Sequence, residues 1–316
     1  MAYVLTSLPQ RAKNKFMKID KIVFACSESS IDSSGNAIAE YSSFWNIQAR
    51  LWKEGFGIEP ICLLFGKKSN TDMSEQHGKI IEMETLSGIP SLIQLTWSKF
   101  NFPTTEPDTT WIIGDIDMFP LQHNHFVKAI ADIHDDHFAH LNASGNVYDD
   151  HQNKFFEHGS QIHGKFRGSG YSGCDLPGHY WVGKGKRFEI FTEGKSFEQQ
   201  VRYIAESHRY GLGPIGSTSY NSSKPDSYYW CAEEMRSSEL MYDAIRSGKV
   251  NYSPIFYSNQ EERIDRSAWN EAAKDYGYSA QRLIEKKIVD IHCARPYTRQ
   301  KEACERIISL SGILSK

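Results

Sequence analysis

The chain predicts an α/β fold with a mostly parallel central sheet flanked by helices, and three observations carry that prediction. Short apolar, β-branched runs end at Gly or in polar clusters, as buried strands do. Segments with apolar residues at helical spacing stand between them. The two patterns alternate through the first 121 residues, and such alternation calls for parallel strands joined by crossover helices. The 316 residues, 40% hydrophobic and 24% charged, are enough to bury a large core.

The first strand is expected at residues 21–26 (Lys-Ile-Val-Phe-Ala-Cys), before a polar loop at 27–36. A helix over 37–54 places Phe44, Ile47 and Leu51 on one face and ends at Gly55. Residues 58–65 read as a second buried strand, stopped by Gly66. A helix fits 91–100 and a strand 109–113, after which Pro120, having no N–H, stops the ladder. In the second half, short strands at 137–142 and 179–182 flank a Gly/Ser-rich stretch, 159–178. Helices near 197–208 and 228–247 follow, separated by Gly, Ser and Pro at 211–225. A strand near 252–256 and a strand-loop-helix tail at 288–310 complete the pattern. Residues 1–19 read as an N-terminal extension and 20–316 as one domain.

Composition narrows the function. A net charge of −3 without a long Lys/Arg run argues against a nucleic-acid groove. No segment approaches the roughly 20 apolar residues of a membrane span. Residues 1–18 carry four basic residues but no apolar run behind them, so no secretory signal is expected. Six scattered cysteines without Cys-x-x-Cys pairing suggest free thiols in a reducing compartment, hence a cytoplasmic protein. Gly183-x-Gly185 lacks the third glycine of a dinucleotide loop.

The most informative stretch is Trp111-Ile112-Ile113-Gly114-Asp115-Ile116-Asp117. In extended chain Asp115 and Asp117 share a face while Ile116 turns to the core. Paired carboxylates at a strand end suit a hard cation, Mn²⁺ or Mg²⁺, with positions left for phosphate oxygens. His292 closes a second apolar run and offers an imidazole ligand, and Arg295 offers a planar fork for phosphate. Trp230-Cys231-Ala232-Glu233-Glu234 opens a helix whose apolar face holds Trp230, Leu240, Met241, Ala244 and Ile245. Glu233 and Glu234 flank that face on opposite sides, so periodicity does not choose between them as a general base. Eight of the twelve histidines lie between His123 and His163, but their spacing is not that of a helical zinc site.

With those pieces the chain resembles the GT-A glycosyltransferases, and its layout is similar to the small glycosyltransferases of large algal viruses. The match is specific at residues 111–121 and looser at 292–296, where Arg295 replaces the usual lysine. The resemblance implies a Rossmann-like GT-A fold, with residues 20–121 binding a nucleoside-diphosphate sugar and 122–316 binding the acceptor. It implies that Cys26, Ser27 and Glu28 face the base, and that Asp115 reaches ribose or metal. Asp117 and His292 would bind Mn²⁺ (or Mg²⁺), and Lys99 and Arg295 the diphosphate. Gly178, His179, Tyr180, Trp181 and Trp230 would line the sugar and acceptor pocket. Glu233 or Glu234 would be the base, although Glu-Glu departs from the family's Glu-Asp. The implied activity is metal-dependent hexosyl or deoxyhexosyl transfer, from a UDP-sugar by preference, to a hydroxyl of a glycan or glycoprotein. A nucleotidyltransferase or a divalent-metal phosphoester hydrolase is the alternative. The former needs a basic, Gly-rich loop after the first strand, and residues 27–36 hold no Lys or Arg and one Gly.

Overall fold

Along β1 (Lys21–Ser27) the side chains of Ile22, Phe24 and Cys26 enter one apolar cluster and Val23 enters another. Successive strand residues point to opposite faces, so a strand that is apolar on both faces has to be covered on both. The computed structural model, which describes residues 16–28, 41–141, 178–207, 232–255, 261–264, 276–294 and 297–315, shows how. Parallel to β1 run β2 (Glu59–Phe65) on one side and β4 (Thr110–Ile113) on the other, with β3 (Lys79–Met83) outside β2. Beyond β4 come β7 (Trp181–Lys184) and β6 (His137–Leu141) through two antiparallel contacts. Strand β8 (Asn251–Ile255) adds parallel to β6, giving the order β3-β2-β1-β4-β7-β6-β8. The expected mostly parallel sheet is present, and it crosses from the first half of the chain into the second.

One face is covered by α2 (Ser91–Asn101), α3 (Phe197–Glu206) and α4 (Ala232–Arg246), which pack Trp97, Phe100, Val201 and Met241 against Trp111 and Trp181. Trp97 Nε1 donates to Gln200 Oε1 at 2.7 Å, joining α2 to α3. Truncating such a fully buried ring costs about 3–5 kcal/mol. Helix α3 begins with a capping box in which Ser196 and Gln199 bond each other's backbone N–H. The other face is covered by α1 (Trp45–Arg50), which continues as a wide π-helical turn through Leu51–Phe56. Also on this face are α5 (Tyr276–Ile284), through Leu283, and α6 (Tyr297–Ser311), through Cys304 and Ile307.

A second, three-stranded sheet has the order β5-β10-β9, built from β5 (Met118–Pro120), β9 (Glu262–Ile264) and β10 (Ile288–His292). Here the structure corrects an expectation. Pro120 does not stop the ladder but pairs opposite Asp290, and the next N–H, from Leu121, bonds the Val289 carbonyl at 2.8 Å. Proline withholds one donor, and the antiparallel ladder resumes past it.

Other boundaries move for local reasons. The first helix passes through Gly55, where a Cβ would lie 3.1 Å from Ile313 Cγ1, and stops at Gly57 with φ 71°. The strand expected from residue 179 begins at Trp181, because Tyr180 sits at φ 61°. Strand β3 was not foreseen: it is an edge strand in which only Ile80 is buried. The stretches 29–40, 142–177, 208–231 and 256–260 lie outside the described residues, and with them most of both Gly/Ser-rich segments.

Candidate active site

The aspartate pair is carried by a turn between the two sheets. As the chain leaves β4, the Gly114 N–H bonds the Val23 carbonyl at 3.0 Å, and a Cβ on Gly114 would come within 2.7 Å of Phe24 Cε1. Only glycine fits so close to that ring. The Met118 N–H then closes back on the Asp115 carbonyl at 3.1 Å. Asp115 and Asp117 therefore belong to a turn, not to the extended strand end pictured from the spacing, while Ile116 does enter the core. Gln48 on α1 holds the turn from below, its Nε2 donating to the carbonyls of Met118 at 2.6 Å and Asp115 at 3.3 Å.

Asp115 faces the main-sheet side. Its carboxylate is ion-paired with Lys99, from the last turn of α2, and lies 3.5 Å from His179 Nδ1. Burial alone would raise the Asp115 pKa, but the Lys99 and His179 contacts outweigh it and hold the carboxyl well below its usual range. Lys99 is 3% exposed; burial works against its charge, yet Asp115, Glu233 and Glu234 together keep its pKa raised. For His179, burial pulls the pKa down against the opposing pull of Asp115.

Asp117 faces the second sheet. Its Oδ2 lies 3.5 Å from His292 Nε2, and its carbonyl accepts from the Cys293 N–H at 2.8 Å. The pairing of β5 with β10, Met118 opposite His292, is what brings the two together. Neighbouring ligands of an octahedral ion at about 2.1 Å stand about 3 Å apart, so a carboxylate and an imidazole 3.5 Å apart fit two corners of Mg²⁺ or Mn²⁺. Such ions keep waters and phosphate oxygens as their remaining ligands. Among the described residues no group of three His, Cys, Asp or Glu is gathered as a metal cluster.

Glu233 and Glu234 begin α4 beside this turn. Burial pushes the Glu233 carboxyl up to about 8, Lys99 opposing and Glu234 and Asp115 reinforcing the rise. Its Oε2 is buried and has no hydrogen-bond partner among the described residues. Glu234 is also raised by burial, but it accepts the Gly178 N–H at 3.3 Å, a bond that favours its charged form. Burial thus raises both glutamates that periodicity left equal, and Glu234 is the one that accepts the Gly178 N–H.

The remaining sequence candidates scatter. Tyr180 and Trp181, expected to line a sugar pocket, have no exposed surface. Tyr180 is packed against Phe126, and Trp181 is stacked on His140 at 4.2 Å between ring centroids. They are core residues, because aromatic side chains suit a packed sheet face as well as a binding floor. The Cys26 thiol points inward, 3.5 Å from that of Cys62. Glu28 accepts the Lys67 N–H and, at 3.2 Å, Asn70 Nδ2, so it braces the loop after β2. Ser27 ends β1 at the same edge, half-buried. Arg295 and Trp230 lie outside the described residues. Sequence reasoning missed Gln48, and also Arg263 and Asp290, which stand opposite each other on neighbouring strands behind His179, a pairing that leaves no local pattern.

No family model matches the sequence, and no curated protein aligns with it. Glycosyltransferases are among the solved structures similar to it. The galactosyltransferase LgtC, in complex with donor and acceptor sugar analogues, is 14% identical over 94% of this chain and 96% of that one, with a TM-score of 0.41. GlyE from Streptococcus pneumoniae TIGR4 is 11% identical over 94% of this chain and 62% of that one, with a TM-score of 0.45. A glycosyltransferase involved in glycosylation of the major capsid of PBCV-1 is 8% identical over 90% and 99%, with a TM-score of 0.36. At these identities residue roles do not carry across.

Proposed function

We propose that this chain is a glycosyltransferase that moves a hexosyl or deoxyhexosyl group from a nucleoside-diphosphate sugar, by preference a UDP-sugar, to a hydroxyl of a glycan or glycoprotein. The observation that carries the reading is the convergence, on one turn, of two unlike acidic sites. Asp115 is held by a buried ammonium beside a protonatable Glu pair, and Asp117 stands against His292. Asp117 and His292 would hold Mn²⁺ or Mg²⁺, which when bound supplies positive charge to a leaving diphosphate. Lys99 adds a fixed positive charge nearby, and Asp115 offers a carboxylate to ribose or metal. Glu234, with the Gly178 donor favouring its ionised form, is suited to take the proton of an acceptor hydroxyl. Glu233, protonated at neutral pH, can donate a hydrogen bond to the same sugar.

The test is a thermal-shift panel of nucleoside diphosphates and their sugars with Mn²⁺ or with EDTA. A ligand bound only by the native state raises its stability. UDP is expected to raise the melting temperature more with Mn²⁺, and Asp117→Ala to abolish that increment. An increment that persists in the variant, or that never appears for any nucleotide, rejects the reading.

A further inference from the structure

Behind the Asp115 carboxylate runs a line of polar contacts that the proposed chemistry does not use. Arg263 on β9 closes its guanidinium fork on Asp290 of β10, Nε to Oδ1 at 2.8 Å and one terminal nitrogen to Oδ2 at 2.9 Å. Asp290 has no exposed surface. A bidentate pair of this kind fixes the plane of the guanidinium. The terminal nitrogen that bonds Asp290 also lies 3.3 Å from His179 Nε2, and the opposite ring nitrogen, Nδ1, lies 3.5 Å from Asp115 Oδ2. His179 is itself 6% exposed, so water does not readily replace either contact.

The chemistry of the donors settles which ring nitrogen carries the proton. A guanidinium has only N–H donors and does not lose its charge in proteins. An N–H directed at His179 Nε2 therefore requires a lone pair there. The ring proton then sits on Nδ1 and points at Asp115. We infer that Arg263, oriented by Asp290, is a positioning residue that fixes His179 in its Nδ1–H tautomer and so presets the Asp115 carboxylate. The other tautomer would set a nitrogen lone pair against a carboxylate oxygen and remove the His179 hydrogen bond that supplements the Lys99 contact of Asp115. The His179 backbone is held separately, its carbonyl 3.2 Å from His140 Nε2, so the ring state is what Arg263 decides. The consequence for turnover rests on the sugar transfer proposed above; the tautomer does not.

The experiment is long-range proton–nitrogen correlation on the full chain with ¹⁵N-labelled histidine, the His179 signal being assigned with His179→Asn. The unaltered protein is expected to show Nδ1–H. Arg263→Lys retains a positive charge for Asp290 but lacks the fork that spans both partners, and it should release the ring into a mixture of tautomers. Removing Arg263 alone would strand a buried carboxylate, so the double variant Arg263→Met with Asp290→Asn removes both charges together and keeps the test available if one variant fails to fold. It should show the same mixture. With a UDP-sugar and acceptor, both variants should lose roughly tenfold or more in kcat, the usual size for a partner that orients a functional side chain. Nε2–H in the unaltered protein, or undisturbed Nδ1–H in both variants, overturns the inference. A tautomer change in a protein that never transfers sugar supports this inference and rejects the function instead.

Discussion

Asp115 and Asp117 stand two residues apart, yet they answer to different parts of the molecule. Asp115 belongs to the main sheet: its partners, Lys99 and His179, come from α2 and the approach to β7. Asp117 belongs to the second sheet, where His292 reaches it from the end of β10. The difference teaches that the motif is two half-sites sharing a turn. One half is charge-balanced by a lysine, and the other presents donors suited to a cation.

The sharpest way to separate the halves is through the proton. Glu234→Gln is expected to lower acceptor-dependent turnover by roughly 10² to 10⁴, the usual size for general-base catalysis, with donor affinity spared. Glu233→Gln, in which an amide replaces a carboxyl that is already protonated at pH 7, should cost roughly tenfold or less. Equal losses in steady-state assays would break the distinction.

The next effect is on stability. Asp115→Ala leaves the Lys99 ammonium buried without its nearest counter-charge. A fully buried pair loses about 3–5 kcal/mol on such a change, and because about a third of the Asp115 side chain meets water, about 2 kcal/mol is expected. Asp117→Ala should stay within about 1 kcal/mol in urea unfolding. A reversal of that order would mean that the charge balance is misassigned.

Smaller again is the metal term. His292→Ala should weaken Mn²⁺ binding by roughly tenfold with little change in melting temperature. A loss of stability at full Mn²⁺ affinity, read by titration, would make His292 a packing residue. The finest readout is a slope. Glu233 is held at about 8 when folded against an ordinary 4.5, so between those values the unfolded chain binds fewer protons than the native one. The Glu233 contribution is complete below about pH 4.5 and is lost as pH rises to about 8. Glu233→Gln should remove that decline, gaining on the unaltered protein from pH 5 to pH 8.

The parts of this arrangement that were legible in the sequence are those written locally. The β-branched run before Gly114, the apolar stripe of α2 and the strand ending at His292 each declare themselves within a few residues. Pro120 misled because a missing donor reads as a stop when its partner strand is unseen, and Gly55 because close packing and helix termination both select glycine. The resemblance put Tyr180 and Trp181 along the sugar pocket, and nothing local separates a ring that lines a pocket from one that stacks on His140. Arg263, Asp290 and Gln48 were invisible for a simpler reason. Their partners are set by sheet pairing and helix docking between distant segments, and no short pattern records such contacts.

The pairing of β5 with β10 also sets a clock. Pro120 and Asp290 face each other across 170 residues of chain, so the Asp117 half-site cannot exist until β10 has been made. At about 5–20 residues per second, roughly ten to thirty seconds separate the synthesis of Asp117 from that of His292. During that interval the Lys99–Asp115 half can already form on the main sheet. A nascent chain would then carry the carboxylate turn without its His292 contact, and the order of synthesis itself would withhold the second half until β10 arrives.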